Sequence, residues 1–156
     1  MSRRVADYLS WVGVWAGVGD TQAGQQTAIR TDFVAGLDGT SLQMHFEAWD
    51  TEFKTLYHGV RAVLAPAPSG VLRALGYSTI HGPLILELTP DDEGVMALAG
   101  DSRANNHLSV TFVQDAPGEL LFTAFWRSAD KSAQAEDGPR MTCRLKPATP
   151  WSPPRA

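Results

Sequence analysis

One cysteine, Cys143, stands in 156 residues, which excludes an internal disulfide and any thiolate zinc cluster. It is expected as a small buried apolar group. Basic residues are few and dispersed: 13 Lys and Arg against 17 Asp and Glu give a net charge of −4, without the basic stripe that nucleic acid requires. Nucleic acid is therefore set aside. Long apolar runs are missing as well. Before Asp7 the chain offers Arg3 and Arg4 but no apolar stretch, so neither a signal peptide nor a membrane anchor is expected, and the cytoplasm is the default. His45, His58, His81 and His107 lie on four separate segments with no pair at ligand spacing, so no metal site is expected. There is no G-x-S-x-G, and Cys143 has no histidine near it in sequence, which leaves nucleophilic catalysis without a local motif.

Trp11 to Gly19 organises what is present. It alternates with period two: Trp11, Gly13, Trp15, Gly17 and Gly19 on one face, Val12, Val14, Ala16 and Val18 on the other. Repeated glycine within a strand marks tight curvature or close approach of another backbone, as in a small closed barrel. No helix follows Gly17 and Gly19 to supply the amide-rich N-terminus of a phosphate site. The apolar second face carries no charge and predicts a covering element or a homodimer partner.

Val5 to Leu9 reads as one short helical turn. Further strands are expected at 28–35, 42–49, 55–64, 71–77, 84–89, 95–99, 107–114, 119–127 and 140–146. Between them lie polar or Gly/Pro turns, including 36–39, 65–70, 90–94 and 115–118. Longer polar segments run over 101–106 and 128–138. Ten short strands and almost no helix predict an all-β chain, a single antiparallel up-and-down barrel with a short N-terminal helical turn. Residues 1–147 would form that domain and 148–156 a Pro-rich tail, with proline at 147, 150, 153 and 154 forbidding regular structure.

Gly13-Val14-Trp15 after a helical turn, with Arg144 on the last strand, resembles the calycin pattern of lipocalins and fatty-acid-binding proteins. The resemblance implies a tryptophan at the closed barrel end with a basic side chain from the final strand across it. Trp15 and Arg144 would fill those roles through a cation–π contact of about 0.5–2 kcal/mol. The G-x-W-x-G-x-G spacing of Gly13 to Gly19 is also similar to the nitrobindin-like branch and its lipocalin-like bacterial relatives. The Pro-Thr-Ile that follows there is replaced by Gln22 to Thr27. The histidine that ligates haem there, close to the C-terminal strand, has no counterpart, because no histidine follows His107.

The leading expectation is a barrel that binds a small apolar or amphipathic ligand, fatty-acid-like or otherwise hydrophobic. Its wall would come from Leu42, Met44, Phe46, Leu56, His58, Val60, Phe112, Phe122 and Trp126. His58 is the one titratable group on an apolar strand face, and burial there favours its neutral form. Gln43, His45, Glu47, Tyr57 and Arg61 form a polar face, with Glu47 expected opposite Tyr57 and Gln43 opposite Arg61. That face is either the solvent side of the hairpin or a site. The alternatives are an isomerase or hydrolase using His58 or the His45/Glu47 pair as general base, a nitrobindin-like haem protein, and a structural dimer with a filled core.

Overall fold

The computed structural model describes residues 3–21, 24–89, 93–101, 106–128 and 141–149. A 3-10 helix, Val5–Trp11, leads into ten strands: β1 Gly13–Thr21, β2 Gln26–Gly36, β3 Ser41–Trp49, β4 Leu56–Pro66, β5 Leu72–Ser78, β6 Gly82–Leu88, β7 Val95–Asp101, β8 Asn106–Ala116, β9 Glu119–Ser128 and β10 Met141–Ala148. Each pairs antiparallel with its neighbours in sequence, and β10 pairs with β1 to close the barrel. The up-and-down reading holds. The turn at 90–92, the loop at 102–105, most of the polar segment over 128–138 and the tail from residue 150 lie outside the described residues. No helix among the described residues is long and apolar enough to cross a membrane.

Trp11, expected to begin the first strand, ends the helix instead. The Asp7 carboxylate accepts from the Arg4 amide at 2.7 Å, starting the helical turn, and Gly13 at φ +131° lets the chain swing into β1. The helix then plugs one barrel end. Tyr8 donates its hydroxyl hydrogen to the Val95 carbonyl (2.8 Å), and Trp11 donates Nε1–H to the Gln114 side chain (3.2 Å). Trp15 is buried beneath this plug and donates its own Nε1–H to the Trp11 carbonyl at 2.8 Å.

Arg144 does not cross Trp15. Along β10 the residues Met141, Cys143 and Leu145 point inward, so strand alternation sends Arg144 out, where it pairs with Asp115 (2.9 Å) and Glu119 (3.4 Å). Those pairs raise its pKa further. Helix side chains take over the end-closing role assigned to the guanidinium. Pro147 also departs from expectation, since β10 continues through it to Ala148. Beyond Leu145 that strand pairs with β1, and no pairing with β9 extends there, so an edge position accommodates the missing N–H.

Gly17 and Gly19 sit where β1 closes against β10. A Cβ on Gly17 would collide with the Arg144 carbonyl oxygen, and one on Gly19 with the Thr142 carbonyl oxygen. The two backbones approach too closely for any side chain. Cys143 packs beside this seam, 2% exposed, with its thiol pushed up to about 11 by burial and by Asp20. Of the expected outer apolar set, Val12 just before β1 and Val18 on it are exposed, whereas Val14 is buried in a surface groove that also holds Ala28 and Phe53. Only part of that face is open to a partner subunit.

Three outcomes follow for urea unfolding. Gly17→Ala should lower stability by about 1–3 kcal/mol through overpacking, while Val18→Ala on the exposed face should change it by less than about 0.5 kcal/mol. Trp15→Ala should cost about 3–5 kcal/mol, as expected for a buried indole.

Candidate functional site

Strand alternation sends His58, Val60, Ala62 and Leu64 of β4 inward, beside Leu72, Ala74, Gly76 and Ser78 of β5. Small side chains on these two strands leave a cavity that larger ones would fill. It measures about 30 Å³ and is lined, among the described residues, by Met44, Phe46, Val60, Ala62, Ala74, Gly76, Leu84, Leu86, Leu108, Val110, Phe112, Phe122, Ala124 and one polar residue, His58. It is therefore apolar apart from a single imidazole. A water needs two to four polar partners to be held firmly, so this space favours an apolar occupant.

Of the predicted wall, Met44, Phe46, His58, Val60, Phe112 and Phe122 line the cavity. Leu42 is buried but is not among its lining residues, and Trp126 is half-buried against the His58 and His81 rings. Leu56 points out, 40% exposed. The reason is a β-bulge: the pairing shifts between Ala48↔His58 and Trp49↔Leu56, so Leu56 follows Trp49 to the outer face. Above the bulge the register also differs from expectation by two residues. Glu47 lies opposite Gly59 and His45 opposite Arg61.

The polar face of β3 is consequently external. His45 stands across from Asp32 and Arg61, with its pKa lowered by partial burial and then by Arg61. Glu47 accepts from the Trp49 indole N–H at 3.0 Å and pairs with Arg61 at 3.5 Å. Neither residue reaches the interior, so the pair cannot serve as a base on a molecule held there.

His58 is fixed from a direction the sequence did not suggest. Its Nε2 lies 2.7 Å from Ser78 Oγ, and that oxygen also receives the backbone N–H groups of Ile80 (3.1 Å) and His81 (3.0 Å). A serine oxygen has two acceptor positions and one hydrogen. Both acceptor positions are taken by backbone donors, so the hydroxyl hydrogen goes to His58, Nε2 is the acceptor, and Nδ1 carries the ring hydrogen. The turn that connects β5 to β6 thus sets the tautomer. Burial, then the neighbouring His81, lower the His58 pKa to about 4, and burial lowers that of His81. The two rings meet edge to face with centroids 5.6 Å apart.

This arrangement suits neither catalytic alternative. A base of pKa about 4, with its lone pair already engaged by a hydroxyl, is poorly matched to proton abstraction near neutrality. Ser78 is fully buried and held by two backbone donors, so it is a turn anchor and no nucleophile. Haem does not fit this interior, because the Nε2 available for iron is occupied and the cavity is far below the roughly 300–1,000 Å³ of pockets for larger ligands. Among the described residues no three His, Cys, Asp or Glu side chains gather as metal ligands would.

No family model matches the chain, and no curated protein matches it. Among solved structures, a similar one is the structure of EF1p2_mFAP2b bound to DFHBI, with 12% identity over 93% of this chain and 98% of that one, at a TM-score of 0.46. A likeness of that degree carries no argument about the site.

Because folded His58 titrates below the ordinary 6.5, the unfolded chain takes up its proton first as pH falls. The contribution of neutral His58 is fully present above pH 6.5 and is lost progressively towards pH 4, by about 3 kcal/mol in all. Urea unfolding at pH 7.5, 6, 5 and 4 should show this decline, and His58→Phe should be shallower over the same interval.

Proposed function

We propose that this barrel binds a small, predominantly apolar molecule inside the cavity formed by β3 to β6, β8 and β9. The observation that carries the reading is an apolar space inside the barrel with one polar residue, His58, among the described residues on its wall. An unspecialised core would be filled at these positions, since interiors pack to crystal-like density. Small residues at Ala62, Ala74, Gly76 and Ala124 keep the space open at some cost in packing.

The size of that space argues for a compact ligand. A molecule of about six heavy atoms requires the lining to give, with Met44 its most flexible side chain, and a long-chain fatty acid would require repacking much of the interior. The proposed calycin kinship accords with an internal site, but the occupant differs in scale from a lipid.

Methyl NMR with 2-methyl-1-pentene as the probe tests the reading. Saturable shifts are expected at Val60, Leu84 and Leu86, and Ala74→Leu should weaken binding at least tenfold by filling the space. Ala124→Val gives the same test if the leucine variant does not fold. Absence of saturable shifts at the cavity methyls in the unaltered protein would overturn the proposal.

A further inference from the structure

His58, the one polar residue among the described residues lining the cavity, has one ring hydrogen to offer. His58 Nε2 accepts from Ser78, which leaves Nδ1–H, and Nδ1 has no hydrogen-bond partner among the described residues. Ser78 Oγ, with both acceptor positions filled by the Ile80 and His81 amides, cannot receive a second ring hydrogen at Nε2. Doubly protonated His58 would thus lose its one hydrogen bond and face the serine oxygen with a hydrogen that has nowhere to go. Among the described residues no lysine or arginine lines the cavity, and Arg61, Arg73 and Arg144 are all exposed on the outer surface.

We infer that the site selects a neutral hydrogen-bond acceptor, a ketone, aldehyde or ester carbonyl on a compact apolar body, and rejects carboxylates. This rests on the proposed internal binding site and names its ligand class. A carboxylate in the cavity would be a desolvated anion facing a neutral imidazole, with one hydrogen bond and no countercharge. A carbonyl needs only the one bond that Nδ1–H supplies. The selectivity resides in the β5–β6 turn, because Ser78 fixes which ring nitrogen is the donor. Ser78 is a positioning residue and touches no ligand.

Three probes of six heavy atoms separate the possibilities: 2-methyl-1-pentene, 2-pentanone and butanoate. Each is titrated into the unaltered protein and into His58→Phe at pH 7.5, with ring nitrogen shifts of His58 followed in labelled protein. Expected are an unprotonated Nε2 and a protonated Nδ1 in the free protein, and an Nδ1 shift with the ketone that the alkene does not cause. His58→Phe should weaken the ketone about threefold to tenfold relative to the alkene, the span of one ordinary hydrogen bond, and butanoate should not bind either protein. If the alkene binds but the ketone shows no His58-dependent gain, or if Nε2 carries the hydrogen, the inference fails and the binding proposal stands. Tighter binding of butanoate than of the ketone also overturns it. If neither alkene nor ketone binds, both fall. The ring nitrogen shifts decide the tautomer even if the phenylalanine variant does not fold.

Discussion

Closure of the sheet depends on one steric condition, that the inner face of β1 carries no side chain where β10 crosses it. Gly17 and Gly19 meet it, and a single methyl at either would meet a carbonyl oxygen of the last strand. With the seam shut, every strand has a paired neighbour on both sides, the β6–β7 pairing being limited to Glu87↔Ala99 and Leu88↔Leu98, and the inward residues are forced into one space. The apolar character of that space follows from the alternation of each strand. Among the described residues that line the cavity, His58 is the one polar side chain.

The interior is connected by rings. From the plug inward, Tyr8, Trp11, Phe33, Phe112, Phe122 and Phe46 each contact the next at centroid separations between 4.9 and 6.0 Å, and Phe46 meets His58 at 5.7 Å. This column joins the helical plug to the end where His58, His81 and Trp126 sit. It fills the barrel axis with rigid side chains, which have few rotamers to lose on burial, while the aliphatic and small residues of β4 to β6 leave the residual space on one side.

Much of this architecture is legible in the residues. The alternation within Leu42 to Trp49 and Thr55 to Leu64, the proline turns and the glycine repeat specify ten strands and a closed barrel, because period and turn chemistry act locally. What was illegible depends on tertiary geometry. The bulge at Trp49 reverses the side to which Leu56 points, and no local pattern distinguishes it from a regular continuation. Arg144 had two aromatic and acidic neighbourhoods within reach in principle, and only strand parity on β10 decides for Asp115 and Glu119. Ser78 gives no sign in the sequence of its role, because a turn serine carries no signal of the ring it will orient. The Leu72, Ala74, Gly76, Ser78 alternation does place that serine inward, and with the face of β4 in hand it would have pointed to His58.

The order of strands around the barrel also bears on how the chain assembles. Nine of the ten strand pairings join elements adjacent in sequence, and β1 with β10 is the exception. Hairpins can therefore form one after another as synthesis proceeds, each with little loop entropy to overcome. Yet until β10 emerges, the growing sheet has two raw edges, one of them β1. The final strand is thus the step that removes both edges at once, and a nascent chain stalled before Met141 would remain an open sheet prone to pairing with another of its kind.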